Sequence, residues 1–303
     1  MKNGIAHKQN QDENLERLEA QREIYTSAKK ITKLQLFLSF GIITLTSILA
    51  AFVPEINWLP AATGAVILIL DFRYFNPRKK FLQEKAAKIQ EKFDCEVLSI
   101  DWNSILNGQK PSDNDISTFT SKTNFNSTNR PTLMNWYPSS AESVPLEVGR
   151  LICQRTNLCW DGYQRDKYIF FTGVFFSLLS FGLIALSIIQ GWTVQTLVFN
   201  VIIPCLPALL FLLKQIEDNK SAKHNLESLI NITDGLLKQL LNGQPTEDMN
   251  KVSRSIQDGI YIHRKSSPLI FDWFYEKYRD DGEHHMNFVS EKYIRNYANI
   301  RGT

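Results

Sequence analysis

Arg150, Gln154 and Asp161 stand at i, i+4 and i+11, which places them on one helical face, and Arg155, Trp160 and Arg165 lie close by. A guanidinium fork binds phosphate through two parallel N–H donors and an indole stacks on a base, so these residue types suit a phosphate-bearing ligand. Further along, Arg254, Asp258, Tyr261 and Lys265 repeat the combination of cation, acid and ring, which adds Arg254 and Tyr261 to the candidate ligand residues. The same charges would also serve against anionic lipid or as salt bridges between helices, and spacing alone does not separate these roles. A second set is weakly polar. Ser177 and Ser180 share a stripe with Gly173 and Ser187, while Thr193, Thr196 and Asn200 precede Pro204 and Pro207. Small polar residues allow close helix packing in lipid, or line water in an open state, and each proline removes a helical hydrogen bond. These are the candidate pore and hinge positions. Catalytic patterns are missing: the five histidines (7, 224, 263, 284, 285) are scattered, the four cysteines form no CxxC, and HExxH, GxSxG, GxxxxGK[ST] and GxGxxG do not occur. The expectation is therefore no enzyme, no metal and no cofactor. A membrane enzyme acting on lipid or nucleotide, the alternative, would need acids at headgroup level, for which only Asp71, Asp161 and Asp166 qualify.

The elements that position these residues follow from charge patterning. Charged residues make up 21% of the 303-residue chain and mean hydropathy is -0.20, yet the 46 residues from Tyr168 to Leu213 contain no Asp, Glu, Lys or Arg. A second charge-free run covers Leu34 to Val53, and a third covers Ile56 to Leu70. About 20 apolar residues span a bilayer core of about 30 Å. These runs predict four membrane spans in two hairpins, with turns at Pro54 to Asn57 and at Gln190-Gly191-Trp192, and the second helix continuing through Asp71 towards Pro77. Lys29, Lys30, Lys33, Arg73, Arg78, Arg165, Lys167, Lys214 and Lys220 flank the inner ends and none lies at the hairpin tips, so both termini are expected in the cytoplasm of a multi-pass membrane protein. The 33 mostly polar residues before Leu34 argue against a cleaved signal peptide. A net charge of +3 excludes a strongly basic partner for DNA or RNA polymers.

The expected organisation is a membrane protein of predominantly α class: an amphipathic cytosolic helix in 1–33, a hairpin in 34–75, a central cytosolic region in 76–167, a second hairpin in 168–213, and a helical cytosolic region in 214–303. Cys95 to Asp101 alternates as a strand would, which leaves room for a small β element. Ser112 to Thr128 reads as an exposed loop, and Ser143 with Pro145 reads as a helix start. After the last span, Leu226, Ile230, Thr233, Leu237 and Leu240 recur at helical spacing until Gly243 and Pro245.

The segments DENLERLEAQREIYTSAKKI, WYPSSAESVPLEVGRLICQRTNLCWDGYQR and RSIQDGIYIHRKSSPLIFDWFY carry a resemblance that extends from Asn14 to about Arg279. The chain resembles the SMODS-associated four-transmembrane effector family. That resemblance implies an antiphage effector that senses a cyclic di- or oligonucleotide messenger and injures the host's inner membrane, the lipid bilayer and further copies of itself being its other partners. Four spans per chain seldom enclose a pore alone, hence the expected homo-oligomer. A constitutive channel or scaffold without a ligand is the remaining alternative.

Overall fold

The computed structural model describes residues 2–56, 58–120, 130–198, 202–243 and 248–301. Among them the chain is helical throughout, and it forms two compact units: unit 1 comprises Met1–Ser27, Leu82–Arg165 and Ala222–Thr303, and unit 2 comprises Ala28–Phe81 and Asp166–Ser221.

Unit 1 starts with α1 (Ile5–Gln9) and the first part of α2 (Asp12–Leu36), whose acidic Asp12 and Glu13 suit a helix N-terminus. It continues with the later part of α5 (Asn76–Val97). The strand expected over Cys95 to Asp101 is not there: Cys95 to Val97 close α5, Ser99 turns with φ 53, and no strand lies beside it among the described residues. Alternation over seven residues also fits a helix end followed by a turn, and a strand needs a partner to satisfy its backbone.

The loop expected from Ser112 is a helix as far as Thr120. Ser112 Oγ accepts from the Asp115 N–H at 3.2 Å, and Asp115 Oδ2 accepts from the Ser112 N–H at 3.1 Å. This reciprocal cap starts a helix, Asp113–Thr120, in a polar sequence. The remainder of that expected loop, 121–129, lies outside the described residues. Ser143 caps nothing either, since its hydroxyl donates to the Ser140 carbonyl at 2.7 Å and the long helix begins at Leu146.

That helix, Leu146–Ile189, gives its first 20 residues to unit 1, and Ile203–Leu241 gives its last 20. Met249–Ser266, Asp272–Lys277 and Arg279–Arg301 complete the unit. One buried cluster gathers Leu15, Leu18, Phe93, Leu133 and Tyr137, and a second gathers Val148, Leu151, Ile152, Leu226, Leu237, Ile256 and Ile260.

In unit 2 the chain runs helically from Ala28 through a π-helical stretch, Phe37–Ile42, into Ile43–Phe52, then turns through Pro54–Ile56. It returns through Leu59–Leu70 and a second π stretch, Asp71–Phe75, into the start of α5. The helix thus continues past Asp71, and Pro60 sits in the first turn of the returning helix, where a missing N–H is harmless. Thr46 and Thr63 face one another across the pair at 3.4 Å. Gln35 Nε2 donates to Asp71 Oδ1 at 2.9 Å and to Asn76 Oδ1 at 3.1 Å near its base. The helix from Leu146 ends in a left-handed cap at Gly191, φ 62: the Trp192 N–H donates to the Ser187 carbonyl at 3.0 Å and the Gly191 N–H to Ile188 at 3.1 Å. By length and composition, Leu146–Ile189 is the one helix among the described residues apolar and long enough to cross a membrane, and only 6% of its most apolar stretch is buried.

Candidate functional site

Unit 1 buries an ionic network. Glu91 and Asp94 sit one turn apart on α5, and both are completely buried. Met249–Ser266 presents Arg254, Gln257, Asp258 and Arg264 at helical spacing. Arg254 Nη2 donates to Glu91 Oε1 at 2.5 Å, its Nε to Asp258 at 3.0 Å and its Nη1 to the Asp101 carbonyl at 2.7 Å. Gln257 Nε2 bridges Glu91 and Asp94 at 2.8 Å each. Asp94 also accepts from the Tyr137 hydroxyl at 2.6 Å and pairs with Arg264. Burial and the neighbouring Asp94 raise the pKa of Glu91 against the pull of Arg254. For Arg264, burial works to lower the pKa, and Asp94 overrides it, so the guanidinium stays charged. Pairing and hydrogen bonding offset the cost of burying these charges, although Arg264 Nη2 has no hydrogen-bond partner among the described residues.

The candidate ligand residues all fall in unit 1; Gln154 and Arg254 join the same network through Gln257 and Glu91, and the others make their contacts elsewhere in the unit. Arg150 is buried; its Nε donates to the Leu98 carbonyl at 2.5 Å, its Nη1 to Asn250 at 2.6 Å, and its Nη2 to the Ser99 carbonyl. It thereby caps the C-terminal end of α5, where unpaired carbonyls favour a cation, and burial lowers its pKa. Gln154, also buried, donates to the Ser253 carbonyl at 2.8 Å and to Gln257 at 3.2 Å. Arg155 pairs with Asp234 and lies 5.0 Å from the Tyr293 ring centre. Arg165 donates to Asp161 at 2.9 Å and to the Pro268 carbonyl at 3.3 Å. Tyr261 is 1% exposed, its hydroxyl has no hydrogen-bond partner among the described residues, and burial pushes its pKa up to about 12. Trp160 is half-buried and meets the Tyr275 ring edge-on at 5.8 Å.

Asp161, His263 and Ser267 together hold the residue types of a nucleophile relay. In such a relay the acid holds one imidazole nitrogen and the serine hydroxyl meets the other. Here Asp161 pairs with Arg165 and with His263 Nε2, and Ser267 Oγ lies 3.0 Å from Nδ1 and 3.2 Å from that same Nε2. Ser267 and His263 are buried, so the cluster works as a clasp between Leu146–Ile189 and Met249–Ser266. Burial acts to raise the Asp161 pKa, but Arg165 and His263 hold the carboxyl well below its ordinary range.

The acid partners Glu91, Asp94 and Asp234 were not singled out in the sequence. Glu91 and Asp94 lie at i and i+3 in a lysine-rich helix, where acids ordinarily form solvated pairs.

The candidate pore and hinge residues belong to unit 2. Ser177 and Thr193 are exposed and Ser180 is half-buried; Thr196 lies in the short helix Val194–Leu197, and Asn200 lies outside the described residues. Pro204 and Pro207 are the second and fifth residues of Ile203–Leu241, and each lacks a backbone donor. Of the 34 large hydrophobic residues recorded as exposed, all but Ile105, Met134, Ile232, Ile262, Trp273, Phe288 and Ile300 belong to unit 2. Such a surface is unfavourable in water over this area and favourable in lipid.

An α-helical chain with a charged, paired interior in one unit and an outward apolar surface in the other defines a membrane-protein class. Residues 3–293 match the family described as the SMODS-associating 4TM effector domain, and the chain belongs to that family. It is 27% identical over 279 residues, 89% of this chain and 92% of the other, to a protein of Bacillus cereus (strain VD146) described as a probable CBASS effector molecule. No solved structure matches the chain.

Proposed function

We propose that the protein is a non-enzymatic effector of cyclic-oligonucleotide-based antiphage signalling: a cyclic nucleotide binds unit 1, copies assemble, and unit 2 opens or disorders the inner membrane. The outward apolar surface of unit 2, on a chain whose other unit buries a paired ionic network, carries this reading. On it, 34–75 and 168–213 are two membrane hairpins with both termini cytoplasmic, and the apolar helix Leu146–Ile189 is one of four spans. Arg150, Gln154 and Arg254 then hold the sensor's shape, while Arg155, Trp160, Arg165 and Tyr261 lie on the elements a ligand would displace. Thr193, Thr196 and Asn200, with Ser177 and Ser180, face the lumen of the open assembly, and Pro204 and Pro207 let the last span bend.

The test is expression in bacteria beside an active or an inactivated cyclic-oligonucleotide synthase, with membrane potential followed by a voltage-sensitive dye. Depolarisation with the active synthase alone is the expected result. Depolarisation regardless of the synthase would make the protein a constitutive channel and overturn ligand gating.

A further inference from the structure

Two arginines outside the buried network converge on one residue. Arg22, on α2, donates from Nη1 to Thr132 Oγ1 at 3.0 Å and from Nη2 to the Thr132 carbonyl at 3.5 Å. Arg279 donates from Nη2 to the same carbonyl at 3.1 Å. Sharing one oxygen limits the separation of these two nitrogens to 6.6 Å, the sum of the two distances. A carbonyl carries only a partial charge, so it does not neutralise two cations this close. Arg279 has Glu283 at 2.6 Å on its solvent side. Arg22 has no carboxylate within ion-pair distance among the described residues; Asp272 and Glu276 act on it from further away. Burial lowers the Arg22 pKa, and the Arg279 charge lowers it further. In contrast, Arg155, Arg165, Arg254 and Arg264 each have an acid in direct contact.

The neighbourhood is aromatic. Tyr275 lies within the electrostatic reach of both guanidinium groups, and its ring meets the Trp160 indole edge-on at 5.8 Å. Trp160 presses so closely on the backbone of Gly282 that a Cβ there would lie 2.0 Å from the ring, so the residue must be glycine for the indole to sit where it does. Two guanidinium groups that converge on one neutral carbonyl, one of them with no carboxylate in direct contact, near a tyrosine ring and an indole, match a phosphodiester with an attached base: the guanidinium groups take the non-bridging oxygens and the rings take the base.

We infer that Arg22 and Arg279, flanked by Tyr275 and Trp160, form the seat for a phosphodiester anion in unit 1. This rests on the nucleotide-activation reading and assigns the place where the messenger is held. An anionic lipid headgroup presents the same phosphodiester, so the test has two arms.

Detergent-solubilised full-length protein is titrated calorimetrically with 3′,3′-cyclic di-AMP, 3′,3′-cyclic GMP-AMP and cyclic tri-AMP, and separately with glycerophosphoglycerol, the headgroup of phosphatidylglycerol. Arg22→Ala and Arg279→Ala are each expected to weaken cyclic-nucleotide binding at least tenfold with little change in melting temperature, consistent with loss of one charge-assisted contact. Arg22→Lys and Arg279→Lys, which keep charge but lose the fork, guard against misfolding and should still lose several-fold. Loss of binding in the arginine variants supports the seat, and loss confined to glycerophosphoglycerol supports it with lipid as the source while rejecting nucleotide sensing there. Wild-type affinity in the folded arginine variants overturns the seat and leaves nucleotide activation standing elsewhere. A wild-type protein that binds none of these probes overturns both.

Discussion

The helix Leu146–Ile189 shows in one element how the two units differ. In its first 20 residues Leu151, Ile152, Cys153 and Leu158 are buried, and so are Arg150, Gln154 and Arg165. Beyond Asp166, Phe170 is 73% exposed, Phe181 71% and Ile188 75%. The sorting rule has changed along one helix: in unit 1 apolar and polar groups alike are taken inside, and in unit 2 the apolar groups point out. What each unit must do with backbone and charge explains this. Unit 1 holds a set of charges in its interior by pairing them, while in unit 2 the stretches 34–54, 56–70 and 168–213 hold no charge and present hydrocarbon outward.

The sharpest way to break the comparison is to unpair a charge in unit 1. Asp94→Ala or Arg264→Ala leaves an uncompensated buried ion, which costs about 3–5 kcal/mol. Thermal unfolding of the purified variants should therefore show loss of the folded unit, whereas Asp94→Leu combined with Arg264→Met should recover most of it. If either single variant melted like the wild type, the interior network would not be what holds unit 1 together.

A matched pair of surface substitutions comes next. Phe181 in unit 2 and Phe288 in unit 1 are both exposed, at 71% and 57%. Phe181→Arg should cost about 2.5–3.5 kcal/mol of membrane insertion if this surface meets lipid, while Phe288→Arg should be nearly neutral. Fractionation of membrane and soluble protein distinguishes them, and equal behaviour would remove the distinction between the two surfaces.

A smaller effect is titratable. Asp161 is held below the ordinary carboxylate range by Arg165 and His263, so the folded state keeps it ionised where the unfolded chain protonates it. The stability it contributes is therefore complete above about pH 4 and is lost as pH falls further. Asp161→Asn should start about 1–3 kcal/mol less stable at pH 7 and lose less between pH 5 and 3 than the wild type. Parallel melting curves across that range would show that the carboxyl is unperturbed.

Much of this contrast was legible in the residues themselves. Runs without charge from Leu34 and Tyr168 coincide with the exposed apolar residues of unit 2, because a long uncharged stretch is visible in composition alone. Gly191 and the helix-forming stretch after Lys214 were readable for the same local reason. The α-helix from Asp113 was hidden in a polar stretch although its Ser112-x-x-Asp115 cap was in view. The strand expected at Cys95 failed because seven alternating residues do not reveal whether a partner strand exists. The candidate site was least legible. Arg150, Gln154 and Arg254 have side chains of the types that grip an anion, but spacing along one helix does not reveal that Leu98, Ser253 and Glu91, from other segments, already hold them. Arg22 and Arg279, 257 positions apart, converge only in the fold.

The central claim, that a ligand held by unit 1 acts through a lipid-embedded unit 2, is tested most directly by reconstituting the purified protein into dye-loaded liposomes and adding a cyclic oligonucleotide that it binds. Release of dye on addition of that ligand, absent without it and absent from protein-free vesicles, is the predicted result. Inserted protein that binds the nucleotide yet leaves the vesicles sealed, or that leaks equally without it, would contradict the account.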